Sequence, residues 1–446
     1  MCGINGIIFK KSEVDFTKII NMNNMLQHRG PDSKGSMSYK NLLLGHTRLS
    51  ILDTSTKGSQ PMSNDGRFWI VYNGEVYNYL ELKEELTKKN YKFYTNTDTE
   101  VILCAFKEWG VKCFQKFNGE WALAILDKQE DKIIITRDGI GFKPCYIYED
   151  SDFFSFSSEI KPFYSLNENL EFDLENLGVS GETLSYNSKT IFKNITQLAQ
   201  GRILEIDLIS NQKKLIRWDY PLSNLPQTSA NYRENTEIYF NLLKEATKLR
   251  LRSDVEIGTS LSGGLDSSAI FSLLNILDTK DQSSNNLNLN PIIMNYKEMK
   301  SKDDALELVK FYNRKPLVVE DKSENIEDTK KIIAKLEVVE EFFMQYNLYK
   351  NQNKRGIKVS IDGHGSDEFL GYPQYYPEYS VDIFNSMINN YNAINKYGGP
   401  KSVARLKNLF GLKDGVPSKI NFMTNPDTNN YFSEYLDSGE YKNDSL

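Results

Sequence analysis

The 446-residue chain is short of the residues that build metal cages and disulfide frameworks. It holds four cysteines (Cys2, Cys104, Cys113, Cys145) and three histidines (His28, His46, His364). No Cys-x-x-Cys pair occurs, so a zinc site is not expected, and so few thiols do not make a disulfide scaffold. Positive charge is not in surplus either. Lys and Arg number 54 against 60 Asp and Glu, a net charge of −6, which argues against a nucleic-acid footprint but not against one local polyanion site. No apolar run approaches the ~18 residues of a membrane span. Met1-Cys2-Gly3-Ile4 has neither the basic region nor the apolar stretch of a signal peptide. No nucleic-acid or membrane partner and a cytoplasmic location are therefore expected. The hydrophobic share of 39% is enough for a packed core, and the length fits about two or three domains.

The first half is rich in strand-like runs bounded by Gly, Asn or Asp: Ile4–Phe9, Leu42–His46, Phe68–Tyr72, Trp121–Asp127, Lys132–Thr136 and Phe153–Ser157. Helical spacing appears over Phe16–Gln27, Tyr79–Lys89 and Asp98–Trp109, the last ended by Gly110. Many strands with few helices point to an α+β layered domain over residues 1–215. Trp218-Asp219-Tyr220-Pro221 and Pro226 then punctuate a linker, 216–230. From 231 to 446 the pattern becomes α/β, as expected for a parallel nucleotide-binding sheet. Helices are expected over Ile238–Leu251, Leu265–Leu277, Ala305–Tyr312 and Glu324–Leu336. Strands are expected over Val255–Leu261, Pro291–Tyr296 and Val359–Asp362.

Cys2 stands just ahead of the first strand. If Met1 is removed, thiol and free α-amine sit on one residue, and an amine with an ordinary pKa of ~7.7–8.0 can take the thiol proton. Three polar islands follow, around Arg48-Leu49-Ser50-Ile51, Tyr72-Asn73-Gly74-Glu75 and Thr97-Asp98-Thr99-Glu100. A thiol attacking an amide needs donors for the developing oxyanion, which the Asn73 amide and the Gly74 N–H can supply. Arg48 can fork onto a carboxylate, and Glu75 and Asp98 can hold an ammonium. Taken singly, Asn73-Gly74 also reads as a two-residue hairpin turn, Asp98 as a helix N-cap and Arg48 as half of a surface ion pair.

Together with His28-Arg29-Gly30-Pro31-Asp32, these islands resemble the class II glutamine amidotransferases, and more closely the glutamine-hydrolysing asparagine synthetases. The resemblance implies a four-layer αββα N-terminal-nucleophile sandwich. It implies Cys2 as nucleophile, Asn73 and Gly74 as oxyanion hole, and Arg48, Leu49, Ser50, Ile51, Leu52, Asn73, Gly74, Glu75 and Asp98 around glutamine.

In the second half, Ser260-Leu261-Ser262-Gly263-Gly264-Leu265-Asp266-Ser267-Ser268 joins an expected strand to an expected helix. Two glycines, hydroxyls and helix N–H groups suit an anion. No Gly-Lys-Ser/Thr follows, so it is not a Walker A loop. It resembles the SGGxDS loop of ATP pyrophosphatases, which the family's synthetase domain, an α/β parallel sheet of that type, carries here. The resemblance implies ATP near Leu261, Ser262, Gly263, Gly264, Asp266, Ser267, Ser268, Met294, Asp362 and Gly363, and Mg²⁺ shared by Asp266 and Asp367. His364 stands where many relatives have the Glu associated with forming the acyl-adenylate. The family's Lys-x-Asp-Arg-x-Ser-Met and Pro-Phe-Leu-Asp segments have no counterpart after about residue 372, so the synthetase part reads as shortened or diverged.

The expected activity is ATP-dependent amide synthesis with glutamine as nitrogen donor and aspartate as acceptor. Alternatives are another carboxylic-acid acceptor, or a glutaminase whose synthetase domain is regulatory. A homodimer is compatible with this reading.

Overall fold

The architecture is that of a computed structural model. It describes residues 1–366 except 12, 177–183, 186, 220–230, 279–286, 296–300, 321–329 and 334–342. Described residues through Gly363 belong to one compact unit. The expected metal ligand Asp367, the shortened region after 372 and most of the expected Glu324–Leu336 helix lie outside the described residues.

In chain order the first half runs β1 (Gly3–Phe9), α1 (Phe16–Met25), β2 (Ser33–Tyr39), β3 (Leu42–Arg48), β4 (Phe68–Val76), α2 (Tyr79–Lys88) and α3 (Asp98–Trp109). β5 (Gly119–Asp127), β6 (Lys132–Arg137), β7 (Tyr146–Glu149), β8 (Phe153–Ser157), β9 (Ile195–Gln197), β10 (Arg202–Asp207) and β11 (Lys213–Arg217) follow. They form two antiparallel sheets, ordered β2-β3-β1-β8-β7-β9 and β11-β10-β6-β5-β4.

The alternation of side chains along each strand sorts the core into layers. Ile4, Ile8, Leu44 and Phe156 of the first sheet meet Val71, Ala122, Ala124 and Ile135 of the second between the sheets. The other face of the first sheet, with Ile7, Phe9 and Leu43, packs on Ile19 and Met22 of α1. The other face of the second, with Ile70, Tyr72 and Leu123, packs on Leu82 and Leu86 of α2 and Ile102 and Phe106 of α3. The order is helix, sheet, sheet, helix, the expected αββα sandwich. Trp218 is buried in the same core, stacked on Trp121 at a ring separation of 5.7 Å. The sandwich therefore keeps the chain through 218, and β11 runs across 216 and 217, where the linker was expected to open.

The second half runs α4 (Tyr232–Arg250), β12 (Ile257–Gly258), α5 (Leu265–Leu277), β13 (Ile292–Asn295), α6 (Ser301–Phe311), β14 (Leu317–Glu320), α7 (Phe343–Lys354) and β15 (Val359–Ser360). β12 pairs with β15 and β13 with β14, both parallel, and a parallel bridge from Ser260 to Ile292 joins the pairs. Parallel neighbours need crossovers, and α5 and α6 supply two of them.

Two alternative local readings fall away. Asn73 and Gly74 are not a hairpin turn: β4 runs straight through them, pairing Asn73 with Ala122 and Gly74 with Trp121. The bulky apolar residues on both sides keep the strand going. The N-cap of α3 is Thr97, whose side chain accepts the Thr99 N–H, and Asp98 is the first helical residue.

Candidate active sites

Cys2 is half-buried and free of any disulfide. It extends the β1 series Ile4, Ile8 and so belongs to the face between the sheets. The Leu49 N–H donates to its Sγ at 3.4 Å, and the thiol donates to the Leu49 carbonyl at 3.6 Å. Its main chain is pinned: Arg29 Nε donates to the Cys2 carbonyl at 2.9 Å, while Arg29 Nη1 pairs with Glu159 at 2.9 Å. Burial pushes the thiol pKa up, opposed by the α-amine, the Leu49 N–H and Arg48. Although the Met1 side chain is exposed, burial of the α-amine lowers it from 8.0 to about 5, with Arg29 and Lys143 adding to the shift. That amine belongs to Met1, and the Cys2 nitrogen is a peptide N–H while Met1 is attached, so the thiol gains an amine on its own residue only when Met1 is removed.

β4 is the edge of its sheet, so alternate N–H groups point away from β5. Trp121 spends both its N–H and its carbonyl on Asp138. Its partner Gly74 therefore faces outward, as do Ile70, Tyr72 and Val76. The Ile70 N–H goes to the Met62 carbonyl, that of Tyr72 to Gln60 Oε1 at 2.7 Å and that of Val76 to Asp98 Oδ2 at 2.9 Å. The Gly74 N–H, between the last two, has no partner among the described residues. Only glycine fits here, because a Cβ would lie 2.2 Å from the Glu120 carbonyl oxygen. Next to it, Asn73 is 1% exposed and its Nδ2 has no hydrogen-bond partner among the described residues. An unpaired amide this deep is costly unless an acceptor arrives. Two adjacent donors without acceptors have the composition of an oxyanion hole.

His46 ties this strand to the first sheet. Its Nε2 lies 3.1 Å from the Tyr72 carbonyl, and burial lowers its pKa to about 3. It is a neutral donor, not a base.

The Glu75 side chain makes no hydrogen bond among the described residues, while its backbone pairs with Glu120 in the β4–β5 ladder. Burial, reinforced by Asp98, raises its pKa well above the usual range. Asp98 is buried and also raised by burial, although Tyr72 Oη donates to it at 2.7 Å. Burial of two neighbouring carboxyls raises both, and for Glu75 the charges of Lys143 and the N-terminal amine offset only part of the shift. Arg48, expected to fork onto a carboxylate, is already partly engaged by main-chain carbonyls. Its guanidinium donates to the carbonyls of Leu52, Asp53 and Ser55, three of its five N–H groups. It shapes the Leu49–Leu52 loop and keeps two donors in hand. Gln60, Lys143 and Glu120 also shape the pocket and carry no local motif that would single them out. Lys143 pairs with Glu120 at 3.0 Å.

In the second half, the loop Ser260–Ser268 enters α5 with Gly264 as a cap that has no side-chain bond. Gly263 has φ +84°, a left-handed turn that glycine adopts without strain. The Ser262 and Ser267 hydroxyls lie 2.9 Å apart. The open N–H groups at the start of α5 and these hydroxyls suit a phosphate, and Asp266 sits in the same turn. Asp362 braces this loop. It accepts the Ser260 N–H at 2.8 Å and its hydroxyl, the Ser360 hydroxyl at 2.8 Å and Tyr349 Oη at 3.2 Å. The Gly363 backbone lies against Asp266 and Ser267. Leu261 is buried and Met294 half-buried on β13. Among the described residues, no three His, Cys, Asp or Glu side chains form a metal cluster, and none of their helices is long and apolar enough to cross a membrane.

Comparison with known proteins gives the same division. Residues 1–218 match the glutamine amidotransferase domain family, and residues 240–437 match asparagine synthase. A Methanocaldococcus jannaschii protein, provisionally named asparagine synthetase [glutamine-hydrolyzing] 2, is 39% identical over 302 residues. That match takes in 61% of this chain and 57% of the relative. Asparagine synthetase [glutamine-hydrolyzing] 2 of Bacillus subtilis is 36% identical, covering 60% of this chain and 38% of the relative. A second M. jannaschii protein, provisionally named asparagine synthetase [glutamine-hydrolyzing] 1, is 31% identical over 401 residues, or 83% of this chain and 69% of the relative. The chain thus spans from over a third to about two thirds of the relatives it matches. With both domain families in this order and a match along most of its length, the chain belongs to the glutamine-hydrolysing asparagine synthetase family.

Proposed function

We propose that the chain is a cytoplasmic, ATP-dependent amidotransferase that takes nitrogen from glutamine and places it on the side-chain carboxylate of aspartate. The sandwich, which keeps the chain through Trp218, would be the glutaminase and residues 231–446 the synthetase. The observation that carries the proposal is the pair of acceptor-less donors, Asn73 Nδ2 and Gly74 N–H, on the strand facing Cys2.

After removal of Met1, the Cys2 α-amine takes the thiol proton, and the thiolate attacks the side-chain carbonyl carbon of glutamine. Asn73 and Gly74 hold the oxygen as it becomes negative. The protonated amine gives its proton to the leaving nitrogen, ammonia departs, and a γ-glutamyl thioester remains. Water attacks that thioester with the amine as base, and glutamate leaves. Glu75 and Asp98 receive the substrate ammonium, which the raised pKa of both carboxyls supports. The two remaining Arg48 donors and the Leu49–Leu52 backbone receive its carboxylate.

In the synthetase, Ser262, Gly263, Gly264, Ser267 and Ser268 hold the ATP phosphates, with Leu261, Met294 and Gly363 beside the nucleotide. Asp266, with Asp367, would hold Mg²⁺, which neutralises phosphate charge when bound. The aspartate carboxylate displaces pyrophosphate from the α-phosphorus, and ammonia then displaces AMP from the acyl-adenylate. His364, where many relatives carry Glu, favours a second reading in which the acceptor is another acid.

The test pairs two assays. Cys2→Ala should abolish glutamine-dependent pyrophosphate release and leave the ammonia-dependent reaction intact. Mass spectrometry of active protein should find Met1 absent. Glutamine use at full rate without the sulfur would overturn the proposal.

A further inference from the structure

The loop assigned to glutamine is held from the other half of the chain. Asp254, after α4, grips it at two backbone points. Its N–H donates to the Ile51 carbonyl at 3.0 Å, and its Oδ2 accepts the Asp53 N–H at 2.7 Å. Asp53 is a junction: its carboxylate takes N–H groups of Ser55 at 3.2 Å and Asn96 at 2.9 Å, and its carbonyl takes Arg48. On the loop's other shoulder, Asp32 Oδ2 accepts the Ser50 N–H at 2.7 Å and the Lys358 ammonium at 2.7 Å.

Asp254 lies three residues before β12 and Lys358 one residue before β15. These strands pair directly, Ile257 with Val359. At their far ends they are joined again, where Asp362 accepts from Ser260 at the phosphate loop. Two adjacent parallel strands therefore begin on one site's loop and end on the other's. At ~3.3 Å per residue the stretch from Asp254 to Ser260 spans at most ~20 Å.

We propose that Asp254 and Lys358 are positioning residues for the glutamine site, acting through Asp53 and Asp32 and supplied by the nucleotide-binding half. The proposal rests on the functional reading above. Neither residue touches substrate. Both fix Ser50–Asp53, the stretch that follows the Leu49 N–H on Cys2 Sγ and carries two of the carbonyls that hold Arg48.

The test uses the full chain with Asp254→Ala, Lys358→Ala, Lys358→Arg and the Asp254→Ala/Lys358→Ala pair. Three quantities are measured: KM and kcat for glutamate release, ammonia-dependent pyrophosphate release, and hydrogen exchange of the Ser50 and Asp53 amides. Each alanine variant should raise the glutamine KM about threefold, and the pair roughly tenfold, in keeping with partly exposed charge contacts. The kcat should stay within about twofold, the ammonia reaction should not change, and Lys358→Arg should restore KM. Both amides should exchange faster in the pair. An unchanged KM in the pair, or loss of the ammonia reaction in step with it, overturns the proposal. If the wild-type chain hydrolyses no glutamine, the functional reading fails instead. Exchange then decides: faster in the pair upholds the strut, equal rates overturn it.

Discussion

Asn73→Ala removes one of two donors and nothing else that the free protein uses. The Nδ2 has no partner to lose, so the folded state forfeits no hydrogen bond, and the truncation leaves only a small void. Stability should change by less than about 1 kcal/mol, a melting shift of a few degrees at most. The catalytic effect should be far larger. Losing one oxyanion donor costs about 10²–10³ in kcat, or about 2.7–4 kcal/mol of transition-state stabilisation. The Gly74 N–H survives, so hydrolysis should not vanish. The glutamine KM should move less than kcat, because the charge that Asn73 meets develops only after attack. Steady-state glutamate release separates the two constants, and ammonia-dependent pyrophosphate release serves as the internal control. A fall in kcat of less than tenfold, with KM raised in its place, would mean that Asn73 binds ground-state glutamine and would refute the assignment.

The remaining expectations each turn on one group. The proposed base is the Cys2 α-amine, which exists only once Met1 is gone, so protein that keeps Met1 should release no glutamate from glutamine while its ammonia-dependent pyrophosphate release persists. Equal glutaminase rates in Met1-bearing and processed protein would contradict this. At Glu159, burial alone would raise the pKa, but His28, Arg29 and Lys161 outweigh it and hold the carboxyl at about 2 instead of 4.5. A depressed acid stabilises the fold above its unfolded pKa, so up to about 3 kcal/mol should be lost as pH falls from about 4.5 toward 2. Glu159→Gln should flatten that part of the pH-stability curve measured by urea unfolding. Asp266→Asn should cut pyrophosphate release with either nitrogen source and leave glutamine hydrolysis in place. Loss of both activities in folded protein would argue against two separate centres.

Much of the fold was legible where burial imposes a period. α3 begins and ends where its apolar spacing and Gly110 place it, and β8 matches its expected range. β2 was not legible: Ser33–Tyr39 is an edge strand with three serines and a glycine, held by pairing to β3, and only Met37 and Tyr39 of it pack, half-buried, on the core between the sheets. The site islands carried residue types but not directions. Asn73-Gly74 reads locally as a turn, and only the pairing of β4 with β5 turns the Gly74 N–H outward. Arg48 reads as a reaching cation, yet three carbonyls within seven residues of it take its donors first. The contact of Asp254 with Asp53 spans 201 residues, and no local pattern encodes a partner that distant.

The rim of β4 has one more consequence. A free strand border normally invites another strand, which docks by finding a donor at every second residue. Here Gln60 and Asp98 plug the positions on either side of Gly74, leaving a notch one hydrogen bond wide. A lone carbonyl at the tip of a small molecule can enter such a notch, whereas an extended polypeptide meets stoppered neighbours at each next step. The same plugs that guard against stray association would thus restrict the donor to free glutamine and turn away glutamine embedded in a protein.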